Sequence, residues 1–213
     1  MRKSKIAFVM LFISIAVAAY LSMIAKVSGK LGFDGPIASS IKTIFPEQTH
    51  EFFKMIEVLG AKPGIGVVGI AVILWLWFKK RNYFGMVTVL IAVALGNELS
   101  KLIKDIIKRP RPELEHLTDV ESYGFPSGHA MVGGILYIVI AYFFFKEMKN
   151  RATKWLVGCL FFIIMGLVGA SRIVLQVHYP SDVMAGYAFG YVWVYLVIIG
   201  YEYIDGRKTN LSV

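Results

Sequence analysis

A single cysteine, Cys159, excludes an intramolecular disulfide, and its place inside an apolar stretch makes packing the expected role of the thiol. Charge is also scarce: Asp, Glu, Lys and Arg make up 17% of the 213 residues against 57% hydrophobic ones, with a mean hydropathy of +0.64. That balance excludes a soluble domain of ordinary composition and makes the bilayer the solvent. Acidic residues are fewer than basic ones, 14 against 23. The excess is spread over four short loops with no stripe of interleaved aromatics, which argues against a nucleic-acid partner. No internal repeat or low-complexity tract stands out.

What the chain has instead is long apolar runs. A spanning helix needs about 20 mostly apolar residues, and six segments approach this: Ile6 to Ala25, Pro63 to Phe78, Tyr83 to Ile107, His129 to Phe145, Trp155 to Leu175 and Val183 to Ile204. The second is short, and the third carries Glu98, Lys101, Lys104 and Asp105 in its last turns. The expectation is an all-α polytopic membrane protein, one bundle of six helices forming a single domain over residues 1–213. Ala16-Val17-Ala18 could mimic a signal-peptide cleavage site, but the apolar run continues beyond it and favours a retained anchor.

Charge then sets the orientation. With a cytoplasmic N-terminus, the inside pieces hold Arg2, Lys3, Lys5, Lys79, Lys80, Arg81, Lys146, Lys149, Arg151, Lys154, Arg207 and Lys208, against Glu147, Glu202 and Asp205. The remaining basic and acidic residues, eleven of each, fall outside, so the net charge of +9 sits on one face. The positive-inside rule therefore places both termini in the cytoplasm.

The longest extramembrane stretch, Lys26 to Lys62, holds two amphipathic patterns. Asp34 and Pro36 can open a helix with Ile37, Ala38, Ile41, Ile44 and Phe45 on one side. A second helix starting near Pro46 would present Phe52, Phe53, Ile56 and Leu59. Such helices can lie on the outer membrane surface or form a lid over the bundle mouth.

Four polar clusters meet at that outer face. The third span ends in "KDIIKRPRP", the fourth begins with "FPSGH", the fifth ends in "SRIVLQ" and the sixth begins after "VHYPSD". Ionisable groups at membrane depth are costly and mark functional paths. Pro110 ends the third helix about one turn after Lys104, and the stiff loop lets Arg111 fold back toward it, so both cations can converge on one anion. Lys101, Lys108 and Arg109 read as snorkelling or headgroup-contacting charges. Ser127 is typed for a helix cap, Gly128 allows backbone to approach a ligand, and the helix start beside them offers free N–H groups to a phosphate-sized anion. Arg172 adds a planar fork.

Pro180 suits a first helical turn, which brings Asp182 within reach of His178 and lets the carboxylate fix the imidazole tautomer. His129 and Gly133 share a helix face, as do Asp182, Gly186 and Gly190. Close approach of these small-residue faces would bring both histidines to one pocket.

Together, Lys104 with Arg111-Pro112 (K-x6-RP, 104–112), "PSGH" at 126–129 and "SRIVLQVHYPSD" at 171–182 resemble the three-part signature of the type 2 phosphatidic acid phosphatase superfamily, with every motif position filled. Within it the chain is most similar to bacterial membrane enzymes of the phosphatidylglycerophosphatase B type. The resemblance implies hydrolysis of the terminal phosphate of a lipid phosphate or diphosphate, phosphatidylglycerophosphate first and undecaprenyl diphosphate next. It implies His178 as nucleophile forming a phosphohistidine, Asp182 orienting it, and His129 as proton donor. Lys104, Arg111, Ser127, Gly128 and Arg172 would bind the phosphate. No cofactor or metal is expected, because three cations around the pocket would repel a divalent ion. The competing reading from the residues is a lipid-phosphate transporter or flippase using the same cationic pocket without hydrolysis. Halide oxidation with bound vanadate is disfavoured by the six spans.

Overall fold

A computed structural model describes residues 4–120 and 122–211, with side chains as far as Gly206. Arg2, Lys3 and the side chains of Arg207 and Lys208, assigned above to the cytoplasmic side, therefore lie outside what is described. The described residues form eight α-helices and no strand: α1 (Lys5–Ser28), α2 (Asp34–Ile44), α3 (His50–Glu57), α4 (Lys62–Phe78), α5 (Tyr83–Ile107), α6 (Gly128–Glu147), α7 (Arg151–Val174) and α8 (Pro180–Leu211).

Helix ends follow local chemistry. Ser4, Asn82, Ser127 and Asn150 cap α1, α5, α6 and α7 by accepting from backbone N–H groups of the first turn. At the other end of α1, Gly29 takes a positive φ of 67°, which a glycine adopts without a side-chain clash. Lys108 closes α5 in the left-handed region just before Arg109-Pro110, because the residue preceding proline is kept out of the helix.

Helices α1, α5, α6, α7 and α8 are long and apolar enough to cross a bilayer. The short segment, α4, has 17 residues and bends by 50° from Glu47–Gly60; the two together have the length and hydropathy of either a broken sixth span or a re-entrant loop. Apolar side chains that would be costly in water, such as Ile6, Val67, Leu156 and Phe162, point outward, as a lipid-facing surface requires. Cys159 lies on this exposed surface of α7, which corrects the expectation of a packed thiol.

Helix α6 is the buried centre. Met131, Ile135, Leu136, Val139 and Ile140 pack with Val89 and Ala92 of α5 and Val194 and Ile198 of α8. The α6–α8 approach depends on two of the α8 glycines: a Cβ on Gly186 would lie 2.7 Å from the Ser127 carbonyl, and one on Gly190 2.9 Å from that of Met131. The expected partner on α6 is different, however. Gly133 and His129 turn toward Gly60, in the short 3₁₀ turn after α3, and not toward α8.

The connection between α1 and α4 covers the end of the bundle. Ala38 and Ile41 of α2 pack on Ile173, Val183 and Ala130, while Phe53 of α3 is fully buried with Val174 and Leu175. These faces pack over the end of the bundle. Ile37, Ile44, Phe52 and Met55 remain exposed on the opposite side of the same helices, where membrane surface contact is available to them.

Candidate active site

Proline and chain reversal place the chemistry at one end of the bundle. The loop between α5 and α6 folds back so that its carbonyls hold the cations: Lys104 Nζ donates to the Tyr123 carbonyl at 2.5 Å, and Arg111 Nε to that of Ser122 at 2.8 Å. Arg111 Nη1 also donates to the Val177 carbonyl at 2.8 Å and stands 3.2 Å from His178 Nε2. Arg111 thus stands at one imidazole nitrogen, and Lys104, seven positions earlier, lines the same cavity.

On the far side of that ring, Nδ1 lies 3.4 Å from Asp182 Oδ2, at the long end of hydrogen bonding, and the ring also bonds the Gly124 backbone. Asp182 is fixed independently: Oδ2 accepts from Tyr179 N at 2.9 Å and its backbone carbonyl accepts from Ser127 N at 3.0 Å. The cap of α6 and the start of α8 are therefore one hydrogen-bonded unit. Ser127 Oγ accepts from Ala130 N at 3.5 Å, and a Cβ on Gly128 would meet only Ser100 Oγ, at 3.8 Å, so the backbone stays open on that side.

His178, His129, Gly128, Lys104, Arg111 and Arg172 all line one cavity of about 870 Å³. Its polar lining includes the two histidines, the basic side chains of Lys62, Lys101, Lys104, Arg111 and Arg172, and the carboxylates of Asp105 and Asp119. It continues as an apolar groove between α4 and α5 along Ile65, Gly66, Gly69, Ile70, Val89, Leu90 and Val93. A headgroup at the polar end and an acyl or prenyl chain in the groove is what such a shape accommodates.

Burial, and then the positive charges of Arg111, Arg172 and Lys104, push the His178 imidazole well below its ordinary protonation range. It is therefore neutral at physiological pH, with a lone pair on Nε2. Arg111 is pushed down to about 10 by burial and Arg172, which still leaves it a cation.

Two features were not anticipated. Arg172 Nη1 is paired with Glu57 at the end of α3, whose other oxygen accepts from Thr118 Oγ1 at 2.9 Å. Arg172 Nε is buried without a hydrogen-bond partner among the described residues. Arg109 corrects the snorkelling expectation more sharply: its side chain is 0% exposed and bridges Asp34 and Asp182, at 2.7 and 2.6 Å. Asp34, expected only to open α2, is equally buried. A lone Asp-x-Pro at a helix start and an arginine in a basic loop carry no signal of their pairing. Lys101, by contrast, stays exposed on Glu98 at 2.7 Å. Among the described residues no group of three or more His, Cys, Asp or Glu side chains could hold a metal ion.

The comparisons agree with this architecture. The PAP2 superfamily model matches residues 82–205, the segment from the start of α5 into α8 that carries all three motifs. The chain belongs to the PAP2 superfamily of membrane lipid phosphatases. Phosphatidylglycerophosphatase B of Bacillus subtilis (strain 168) is 31% identical over 169 residues, covering 77% of this chain and 81% of the relative. Lipid A 4'-phosphatase of Porphyromonas gingivalis is 28% identical over 68% of this chain and 64% of its own length. The crystal structure of the transmembrane PAP2-type phosphatidylglycerolphosphate phosphatase from Bacillus subtilis superposes with a TM-score of 0.76 at 27% identity, covering 92% of this chain and 96% of that one.

Proposed function

We propose that this chain hydrolyses the terminal phosphate of a membrane lipid through a phosphohistidine on His178, with phosphatidylglycerophosphate ahead of undecaprenyl diphosphate as substrate. The observation that carries the reading is the pairing of a neutral, cation-flanked His178 with an apolar groove opening from the same cavity. The name and 81% coverage of the Bacillus subtilis relative support the ranking of substrates.

In this reading the phosphate displaces the Arg111 contact at His178 Nε2, and Nε2 attacks phosphorus in line while the P–O bond to the lipid breaks. His129, protonated in the phosphate complex, gives its proton to the leaving alkoxide. It then takes one from the water that cleaves the N–P bond. Asp182 stabilises the positive charge that the His178 ring gains. Lys104, Arg111, Arg172, Ser127 and the Gly128 N–H hold the oxygens on which charge must be balanced. Arg172 Nε, unpaired among the described residues, is a donor suited to one of them. Uncatalysed phosphate-monoester hydrolysis is so slow that positioning and electrostatics must supply on the order of 20 kcal/mol. Both termini would be cytoplasmic and the site would face outward, on the argument from basic residues given above.

The test is phosphate release from phosphatidylglycerophosphate, undecaprenyl diphosphate, phosphatidate and diacylglycerol diphosphate in mixed micelles, for wild type and His178→Ala. Release by wild type, fastest with phosphatidylglycerophosphate and absent in His178→Ala, is the expected result. Binding of these lipids with no release from any of them would overturn hydrolysis in favour of a lipid-phosphate carrier.

A further inference from the structure

Behind the His178–Asp182 pair lies a second, sealed layer of charge. Asp34 Oδ2 accepts from Arg109 Nη2 at 2.7 Å, Ser181 Oγ at 2.8 Å and Leu31 N at 3.1 Å, and its Oδ1 accepts from Ser181 N at 2.9 Å. Arg109 in turn donates from Nη1 to Asp182 Oδ1 at 2.6 Å and to Ser181 Oγ at 2.7 Å, and from Nε to the Gly29 carbonyl at 2.5 Å. The Tyr179 ring covers its guanidinium, 4.3 Å from Cζ. The side chains of Asp34, Arg109 and Asp182 are all 0% exposed, so water and salt screen these charges little.

The count of charges is the point. Two carboxylates share one guanidinium, which leaves the cluster with one net negative charge. Without Asp34, Arg109 would neutralise Asp182 alone, and the carboxylate beside His178 would lose most of its field. The other groups around His178 cannot replace it. Arg111 from the α5–α6 loop, Lys104 from α5 and Arg172 from α7 are cations, His129 on α6 lines the same cavity, Glu57 of α3 is taken up by Arg172, and although Asp105 and Asp119 also line the cavity, the carboxylate bonded to the ring is that of Asp182.

We infer that Asp34 and Arg109 are positioning residues for phosphoryl transfer: Arg109 aims Asp182, and Asp34 supplies the counter-charge that keeps Asp182 effectively anionic. This rests on His178 being the nucleophile, because the carboxylate's charge matters most as Nε2 bonds to phosphorus and the ring turns positive. It also gives the α1–α4 connection a chemical part in the site, distinct from its packing over the end of the bundle.

The experiment compares wild type, Asp34→Asn, Arg109→Lys and the double variant Asp34→Asn/Arg109→Met. Each is followed for phosphohistidine formation by rapid quench at saturating phosphatidylglycerophosphate, across pH, with thermal melting in detergent as a check on folding. Asp34→Asn is expected to slow phosphohistidine formation at least about tenfold and to move its acid limb down by about half a unit or more, with KM within about twofold of wild type. Arg109→Lys keeps the charge and holds the limb at the wild-type position. The double variant, with one net negative charge restored, recovers most of the rate that Asp34→Asn loses.

A wild-type rate and limb in Asp34→Asn overturn the inference. So does a double variant slower than Asp34→Asn with an unmoved limb, which is what a purely structural cluster would give. Absence of any phosphohistidine in wild type overturns the nucleophile reading and the inference with it. Its presence in wild type together with an unmoved Asp34→Asn overturns the counter-charge alone.

Discussion

Gly186→Ala should separate the two ends of the candidate site while leaving every side chain of the motifs in place. A Cβ on Gly186 would meet the Ser127 carbonyl at 2.7 Å, Ala130 Cβ at 3.0 Å and Met131 N at 3.1 Å. Two of these are backbone atoms of the α6 start, which cannot rotate away. Ordinary contact begins near 3.4 Å, so α8 must retreat from α6 by roughly 0.7 Å. That motion pulls on the bond from Ser127 N to the Asp182 carbonyl, the link between the phosphate cradle and the His178–Asp182 pair. A 1 Å misplacement can cost about a hundredfold in rate, so a decrease in kcat of roughly 30-fold, about 2 kcal/mol in the barrier, is expected. Overpacking itself should cost about 1–3 kcal/mol of stability. The assay is phosphate release in mixed micelles with melting temperature measured in parallel. Gly200→Ala, which would meet nothing within 4 Å on the same helix, serves as the control. A Gly186→Ala protein with wild-type kcat and KM would refute the reasoning, because it would mean the helix separation does not set the geometry of the site.

Other substitutions and conditions test the electrostatics. Glu57→Gln removes the carboxylate that competes for Arg172, so inhibition by inorganic phosphate should tighten several-fold with kcat within about twofold; an unchanged inhibition constant would exclude competition between Glu57 and phosphate for that guanidinium. Because His178 is held well below its ordinary value of 6.5, kcat/KM should show no loss from His178 protonation until the pH is well under 6.5. Folding responds with the opposite demand: the unfolded chain binds a proton at His178 that the folded chain refuses, so the melting temperature should fall as pH drops below about 6.5, and less so in His178→Ala. Detergent-solubilised protein in excess chelator should keep releasing phosphate, and loss of release restored by a divalent ion would contradict a mechanism carried by side chains alone.

Much of the fold was legible because the bilayer simplifies the code: a span must satisfy its own backbone, so length and hydropathy are enough to find it. All six segments appear as helices with ends within four residues of their expected bounds, apart from the C-terminal end of α8, which runs seven residues past Ile204, and the weakest of them, α4, is the one that falls short of spanning length by itself. The gathering of Lys104, Arg111, His129, Arg172 and His178 at one cavity was likewise implied by motif order, since successive spans alternate direction and their polar ends alternate with them.

The sequence by itself determined which residue types are available, which segments are apolar enough to cross, and where proline and serine begin and end them. Those are local properties, carried by neighbours in the chain. Only the tertiary structure decided that Arg109 is buried between Asp34 and Asp182, that Glu57 holds Arg172, and that Gly133 faces Gly60 while Gly186 faces Ser127. Asp34 and Arg109 are 75 positions apart, and Glu57 and Arg172 are 115. A charge carries no record of its distant partner, and the cost of burying it is met only when the folded chain brings that partner within hydrogen-bonding distance.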